Sequence, residues 1–254
     1  CREIIVGLGG SCTNDGGAGA AAALGIRFLD GAGQPFVPVG GTLEDIAAVD
    51  PAGRLPDLAG VRFLAMCDID NPLTGPQGAA PVFGPQKGAD PAMVERLDAG
   101  LAHLARLVER DLGIDMDRVP GAGAAGGMGG GMLAFLGAEL RPGIQVVLDL
   151  ADFDRKVRTA DLVLTGEGRI DGQSLRGKVV VGVAERARRV GVPVVAVVGS
   201  VGDDVDGVYE RGVSAIFSIN RRAEDFSVSR FHSRENLEAC IDNLARLLRA
   251  TGRA

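Results

Sequence analysis

Along the chain, short apolar runs bounded by glycine alternate with stretches in which apolar residues recur at helical spacing. Ile4–Leu8 is a β-branched apolar run, the pattern of a strand buried on both faces. Gly9–Gly17 follows as a polar, glycine-rich turn, and Ala18–Leu24 reads as a small-residue helix ended by Gly25. From 26 to 60 the apolar pieces are broken by Gly and Pro, with a short helix expected near Thr42. Val61–Cys67 is a second strand that runs into Asp68-Ile69-Asp70-Asn71-Pro72. Pro91 opens a long helix to about Asp111, with Leu97, Leu101, Leu104, Leu107 and Val108 on one face. Gly121–Gly131 is a second glycine-rich segment, and Ile144–Leu150 reads as a strand. The last third is regular. Strands at Asp161–Thr165, Val192–Val198 and Ala215–Ile219 alternate with helices at Val179–Val190, Val205–Gly212 and Arg234–Arg249.

Strands alternating with helices in this way predict an α/β fold with parallel strands covered on both faces. The opening strand–loop–helix unit is more like the last third than the middle. The expected division is therefore a Rossmann-like parallel-sheet domain built from residues 1–25 and 152–254, with a second α/β domain, residues 26–151, inserted in it. The chain enters a strand almost at Cys1, whereas the first residues of a domain tend to be loose, so a preceding N-terminal segment is expected.

Composition narrows the function classes. With 254 residues, 46% of them hydrophobic, the chain can bury a sizeable core. A net charge of −6 provides no basic field for a nucleic-acid backbone or an anionic membrane. Trp is absent and Tyr occurs once, too few stacking rings for a reader of single-stranded bases. Cys1, Cys12, Cys67 and Cys240 share no metal-ligand spacing, and His103 and His232 are the only histidines, so neither zinc nor a disulfide framework is expected. The cysteines read as small buried hydrophobes in the reducing compartment of a cytoplasmic protein, and no signal peptide or membrane-length apolar run accompanies them. An anionic ligand must then be met by a local site.

Five segments could form one. Gly9–Gly17 joins a strand to a helix, where exposed backbone N–H groups suit an anion and glycines let the backbone approach it. Its candidate binding residues are Gly10, Ser11, Thr13, Asn14, Asp15 and Gly16, though Ser, Asn and Asp are also ordinary caps. Asp68 and Asp70 sit just past a strand, on alternate positions that could face one cation or close an Asx-turn. Lys87, between glycines in Phe83–Gly88, could reach a phosphate or simply be solvated. In Thr165–Gln173 and on to Lys178, Glu167 and Asp171 could act as a base or hold a metal, with Gln173 and Lys178 as ligand contacts. Gly172–Lys178 fits the outline of a phosphate-binding loop, but Val179 stands where Ser or Thr would hold Mg²⁺. Gly121–Gly131 could be another anion-binding helix entry or a flexible or tightly packed connection between domains, with small-residue packing favoured. No dinucleotide fingerprint occurs, which disfavours an oxidoreductase.

The order of these segments is more specific than any one of them. GGSxTNDGGxG, CDxDNPLxGPxGAxxxFGPQKGA, PGAGAAGGxGxG and TGEGxxDxQ…GK, from about Ile4 to Ile219, resemble the type I glycerate kinases. Cys12 stands where Ala is usual, and a segment with an Asp-Ser-Phe-Lys-Gly run that opens family members is missing. The resemblance implies two α/β domains and transfer of the γ-phosphoryl of ATP to D-glycerate, with 2-phosphoglycerate favoured over 3-phosphoglycerate as product. It implies Mg²⁺ held by Asp68 and Asp70, and charge neutralisation by Lys87 and Lys178. Glu167 or Asp171 would orient or deprotonate the hydroxyl, and the Ser11–Gly17 loop would bind glycerate or phosphate. Partners would be small molecules, without nucleic acid or membrane, and a homo-oligomer is left open. The alternatives are a kinase of another small hydroxy acid and a non-catalytic nucleotide-binding relic.

Overall fold

The apolar runs and helical stretches fall where the pattern puts most of them. In the computed structural model, residues 1–55 and 58–252 are described, the side chains of Gln173 and Arg176 excepted. The chain divides into two compact units, Cys1–Gly143 and Ile144–Ala254.

The first unit contains β1 (Glu3–Gly7), α1 (Ala18–Ala23), β2 (Arg27–Leu29), β3 (Pro35–Phe36), β4 (Ala48–Asp50), β5 (Arg62–Met66), α2 (Ala79–Phe83), α3 (Pro91–Leu112), α4 (Ala124–Leu136) and β6 (Glu139–Arg141). One sheet has the order β1-β5-β6 with both pairs parallel, and β3-β2-β4 form an antiparallel sheet. The helix α3 shows how its sequence specifies it. Asp90 accepts from the Met93 amide at 2.8 Å and Pro91 opens the first turn, while Gly113 ends it at φ 72°. Its stripe of Leu101, Leu104, Leu107 and Val108 is buried against Phe28, Leu43 and Phe135 in one core. The rings of Phe28 and Phe135 meet edge to face there, 5.7 Å apart.

The second unit contains α5 (Gly143–Leu150), which starts at the unit boundary, then α6 (Phe153–Val157), β7 (Val163–Ile170), α7 (Val179–Arg188), β8 (Val194–Val201), α8 (Asp206–Glu210), β9 (Val213–Ser218), α9 (Phe226–Ser229) and α10 (Ser233–Ala250). Its sheet has the order β7-β8-β9, all parallel. The α/β class with parallel strands is as expected.

Three details differ from the expectation. The first strand pairs with β5, so residues 1–25 belong with 26–143 and not with 152–254. The two apolar runs bury the same face of α4, through Val6, Phe63 and Met132. Ile144–Leu150 is helical, not a strand. Helical spacing puts Gln145 and Asp149 on one side, where both hold the guanidinium of Arg186, whose side chain is only 7% exposed. Finally, β7 runs on through Gly166 and Gly168 to Ile170, where a loop was expected. A Cβ at Gly166 would lie 2.3 Å from the Val197 carbonyl oxygen, so this glycine permits close strand approach.

Candidate functional site

In the first unit the carboxyl ends of β1, β5 and β6 lie side by side, the end at which open α/β sheets receive ligands. The chain leaves β1 into the Gly9–Gly17 loop, and leaves β5 into Cys67–Asp70. These segments, with residues of the Phe83–Gly88 turn and the start of α4, enclose a cavity of ≈ 200 Å³ lined by Gly9, Gly10, Ser11, Asp68, Gln86 and Lys87 among others.

Lys87 is its central charge. Its ammonium group donates to Ser11 Oγ and to the Thr13 carbonyl oxygen, both at 2.7 Å. Burial pushes the ammonium below the usual lysine range, against the opposing pull of Cys12 and Asp15. Gly88, at φ 96°, ends the turn that presents it. Asp68 is exposed and accepts from the Gly143 amide at 2.7 Å, which ties the end of β5 to the second residue after β6. Asp70 is also exposed. Asn71 anchors the turn that follows by donating to the Gln77 carbonyl oxygen.

The second half of the Gly9–Gly17 loop is occupied locally. Asp15 accepts from the amides of Gly17 and Gly19, capping α1, and the Gly16 amide donates to the Gly126 carbonyl. Gly9–Ser11 line the cavity wall, and Cys12 and Thr13 beside them are exposed, with the Thr13 carbonyl oxygen engaged by Lys87. Asn14 is 8% exposed, and neither atom of its side-chain amide has a partner among the described residues. Such an orphan costs about 1–3 kcal/mol and marks a place where packing is compromised.

The second glycine-rich segment packs against this loop. Ala125, Gly126 and Gly127 take left-handed φ of 53°, 71° and 91°, which breaks α4 into two helical stretches. A Cβ at Gly126 would lie 2.1 Å from the Thr13 carbonyl oxygen, and one at Gly131 2.3 Å from that of Gly16. The segment thus serves close packing, as its composition suggested. Ala124 and Ala125, inside this segment, also line the cavity, as does Phe83 of the Phe83–Gly88 motif, so the segment reaches the candidate site as well. Gln86 was legible only as the neighbour of Lys87 in the Phe83–Gly88 motif.

The fourth motif lies in the second unit. Glu167 stands within β7, half-buried, and accepts from the hydroxyl of the fully buried Ser174 at 2.7 Å. Ser174 also accepts from the Asp171 amide, and Asp171 is ion-paired with Arg169 at 3.1 Å. Lys178 is exposed at the entry of α7, and the Gln173 side chain lies outside the described residues. Ser174 was not foreseen as the group that orients Glu167, although it lies inside the motif.

The donor chemistry bears on a metal. Among the described residues no group of three or more His, Cys, Asp or Glu could cage a cation. Two exposed carboxylates past a strand end instead fit a Mg²⁺ that keeps waters and phosphate oxygens as ligands.

The chain is 47% identical over 244 residues to the glycerate kinase of Bacillus cereus, covering 96% of this chain and 64% of that relative. It is 46% identical over 217 residues to glycerate 2-kinase of Escherichia coli K12, covering 85% and 57%. A solved structure described as glycerate kinase 2 from Salmonella typhimurium LT2 superposes with a TM-score of 0.83 at 43% identity, over 100% of this chain and 66% of that one. The chain thus spans about 64% of the length of the first of these relatives. Among the described residues no helix is long and apolar enough to cross a membrane. A sequence model of the Glycerate kinase family matches residues 1–249, and the chain belongs to that family.

Proposed function

We propose that this chain carries phosphoryl-transfer machinery that moves the γ-phosphoryl group of ATP to the 2-hydroxyl of D-glycerate. Family membership and relatives named glycerate kinase and glycerate 2-kinase support the substrate and the position of transfer. The observation that carries the reading is the Lys87 ammonium, fixed by Ser11 and Thr13 on the wall of a ≈ 200 Å³ cavity beside Asp68. That volume lies below the roughly 300–1,000 Å³ of pockets for larger ligands, and suits a small hydroxy acid.

Phosphoryl transfer demands positioning and charge neutralisation more than covalent chemistry. Lys87 and the Gly9–Ser11 backbone hold the glycerate carboxylate. The exposed carboxylates of Asp68 and Asp70 would hold a Mg²⁺, which would supply neutralisation of phosphate charge. Of the two candidate bases, Glu167 is favoured, because Asp171 is engaged by Arg169. A carboxylate base takes the hydroxyl proton as the glycerate oxygen bonds to the γ-phosphorus and the bond to ADP breaks. Lys178 offsets the charge that develops. Asp68→Asn and Asp70→Asn are expected to lower kcat by about 10²–10³-fold and to raise the Mg²⁺ requirement, in proteins of unchanged fold. Turnover near wild type in both would remove the two carboxylates from the mechanism.

A further inference from the structure

The second unit holds a cavity that none of the roles above uses. It has ≈ 340 Å³ and opens directly past the end of β9, lined by Asn220, Arg221, Arg222, Ser229, Glu235 and Asn236 among others. Because β7, β8 and β9 are parallel, it lies at the same end of that sheet as the Glu167–Ser174 pair and Lys178. This is the ligand-receiving end of an open α/β sheet.

Its chemistry is mixed rather than purely cationic. Arg222 is neutralised by Glu224 at 3.5 Å, which leaves Arg221 as a guanidinium with no ion pair among the described residues. Glu235, exposed in the first turn of α10, offers a carboxylate, and Asn220 and Asn236 each offer both a donor and an acceptor. A bare phosphate or small carboxylate would be repelled by Glu235 and would not use the amides. A ligand with vicinal hydroxyls, a hydrogen-bonding heterocycle and an attached phosphate uses all of them. A carboxylate accepts from ribose hydroxyls, amides read a base edge, and a guanidinium meets the phosphate. Two strand spacings, about 10 Å, separate β9 from β7, a distance that a triphosphate chain can cross toward Lys178.

We infer that this cavity is the nucleoside subsite of the phosphoryl donor, with Glu235 on the ribose, Asn220 and Asn236 on the base, and Arg221 on the phosphate nearest the sugar. The inference rests on the reading of the protein as a nucleotide-dependent kinase. The test is calorimetric binding of ATP and of inorganic triphosphate to the full-length protein, in wild type and in Glu235→Gln, Asn236→Ala and Arg221→Gln. Glu235 and Arg221 are exposed, so two of the three variants perturb no core. Glu235→Gln and Asn236→Ala are expected to weaken ATP by about tenfold while leaving inorganic triphosphate unchanged. The KM for ATP should rise, with kcat and the KM for glycerate held. ATP affinity unchanged in all three variants would overturn the subsite and leave the kinase reading standing. Equal weakening of ATP and triphosphate by Glu235→Gln and Asn236→Ala would also overturn it, as a general charge or folding effect. A wild-type protein that binds no nucleotide would overturn the kinase reading and the subsite together.

Discussion

Lys87 shows how one side chain can be held ready for an anion. Its two hydrogen bonds fix it on the cavity wall, and partial burial makes its charge costly and therefore responsive to a ligand. Lys87→Met is expected to raise the KM for glycerate by about 10²-fold, since an anion would be left in the cavity without its counter-charge. The pH dependence has a definite sign. The protonated form binds the acid, so affinity falls as pH rises, and the fall begins below about 10.4, where an ordinary lysine titrates. Stability moves the other way. With the folded-state pKa depressed, the unfolded chain binds more protons across the window between the two values, and stability is recovered as pH rises through it. Glycerate affinity and urea-unfolding midpoints measured across that window should diverge in wild type, and Lys87→Met should remove both trends. Asn14 supplies a second contrast. Its buried, unpartnered amide predicts that Asn14→Leu will hold or raise stability by about 1 kcal/mol in urea unfolding. A clear loss of stability would mean that the amide is satisfied in the folded protein.

At the scale of elements, the glycines of α4 are set by what lies against them. Gly126→Ala must accommodate both a left-handed φ and an atom 2.1 Å from the Thr13 carbonyl, and is expected to cost about 3 kcal/mol or more. Gly137→Ala, at φ 64° with nothing within 4 Å of the added carbon, should cost only about 1 kcal/mol. Equal losses for the two would show that packing of α4 on the Gly9–Gly17 loop is not what the glycines serve. In the second unit, Arg186→Met leaves Gln145 without its partner and should cost about 1–3 kcal/mol, measurable as a lowered Tm. These elements also show what the sequence could reveal. The stripe on α3, with Asp90, Pro91 and Gly113 at its ends, was legible because its signals are local. Ile144–Leu150 was misread because paired valines look strand-like, while the reason for a helix, Arg186, is about forty residues away in the chain and brought close only by folding. Gly166 looked like part of a loop because the carbonyl that excludes its side chain belongs to another strand. In the site, Ser11, Asp68 and Lys87 were found from motif order. The bond of Ser174 to Glu167 and the cavity past β9 were not, since each depends on three-dimensional neighbours.

At the scale of the whole molecule, two units of the α/β class each bring the carboxyl ends of parallel strands to a cavity, one of ≈ 200 Å³ and one of ≈ 340 Å³. The smaller carries a fixed ammonium suited to a hydroxy acid, and the larger a mixed polar lining suited to a nucleoside. In the second unit Ser174 orients the carboxylate of Glu167. The assignment of the reaction binds these features together. It is tested most directly by coupled ADP release from the full-length protein with ATP, Mg²⁺ and D-glycerate, with the product examined by phosphorus NMR. The expected result is ADP release that depends on D-glycerate and yields 2-phosphoglycerate. A folded protein that releases no ADP in response to D-glycerate would contradict the account.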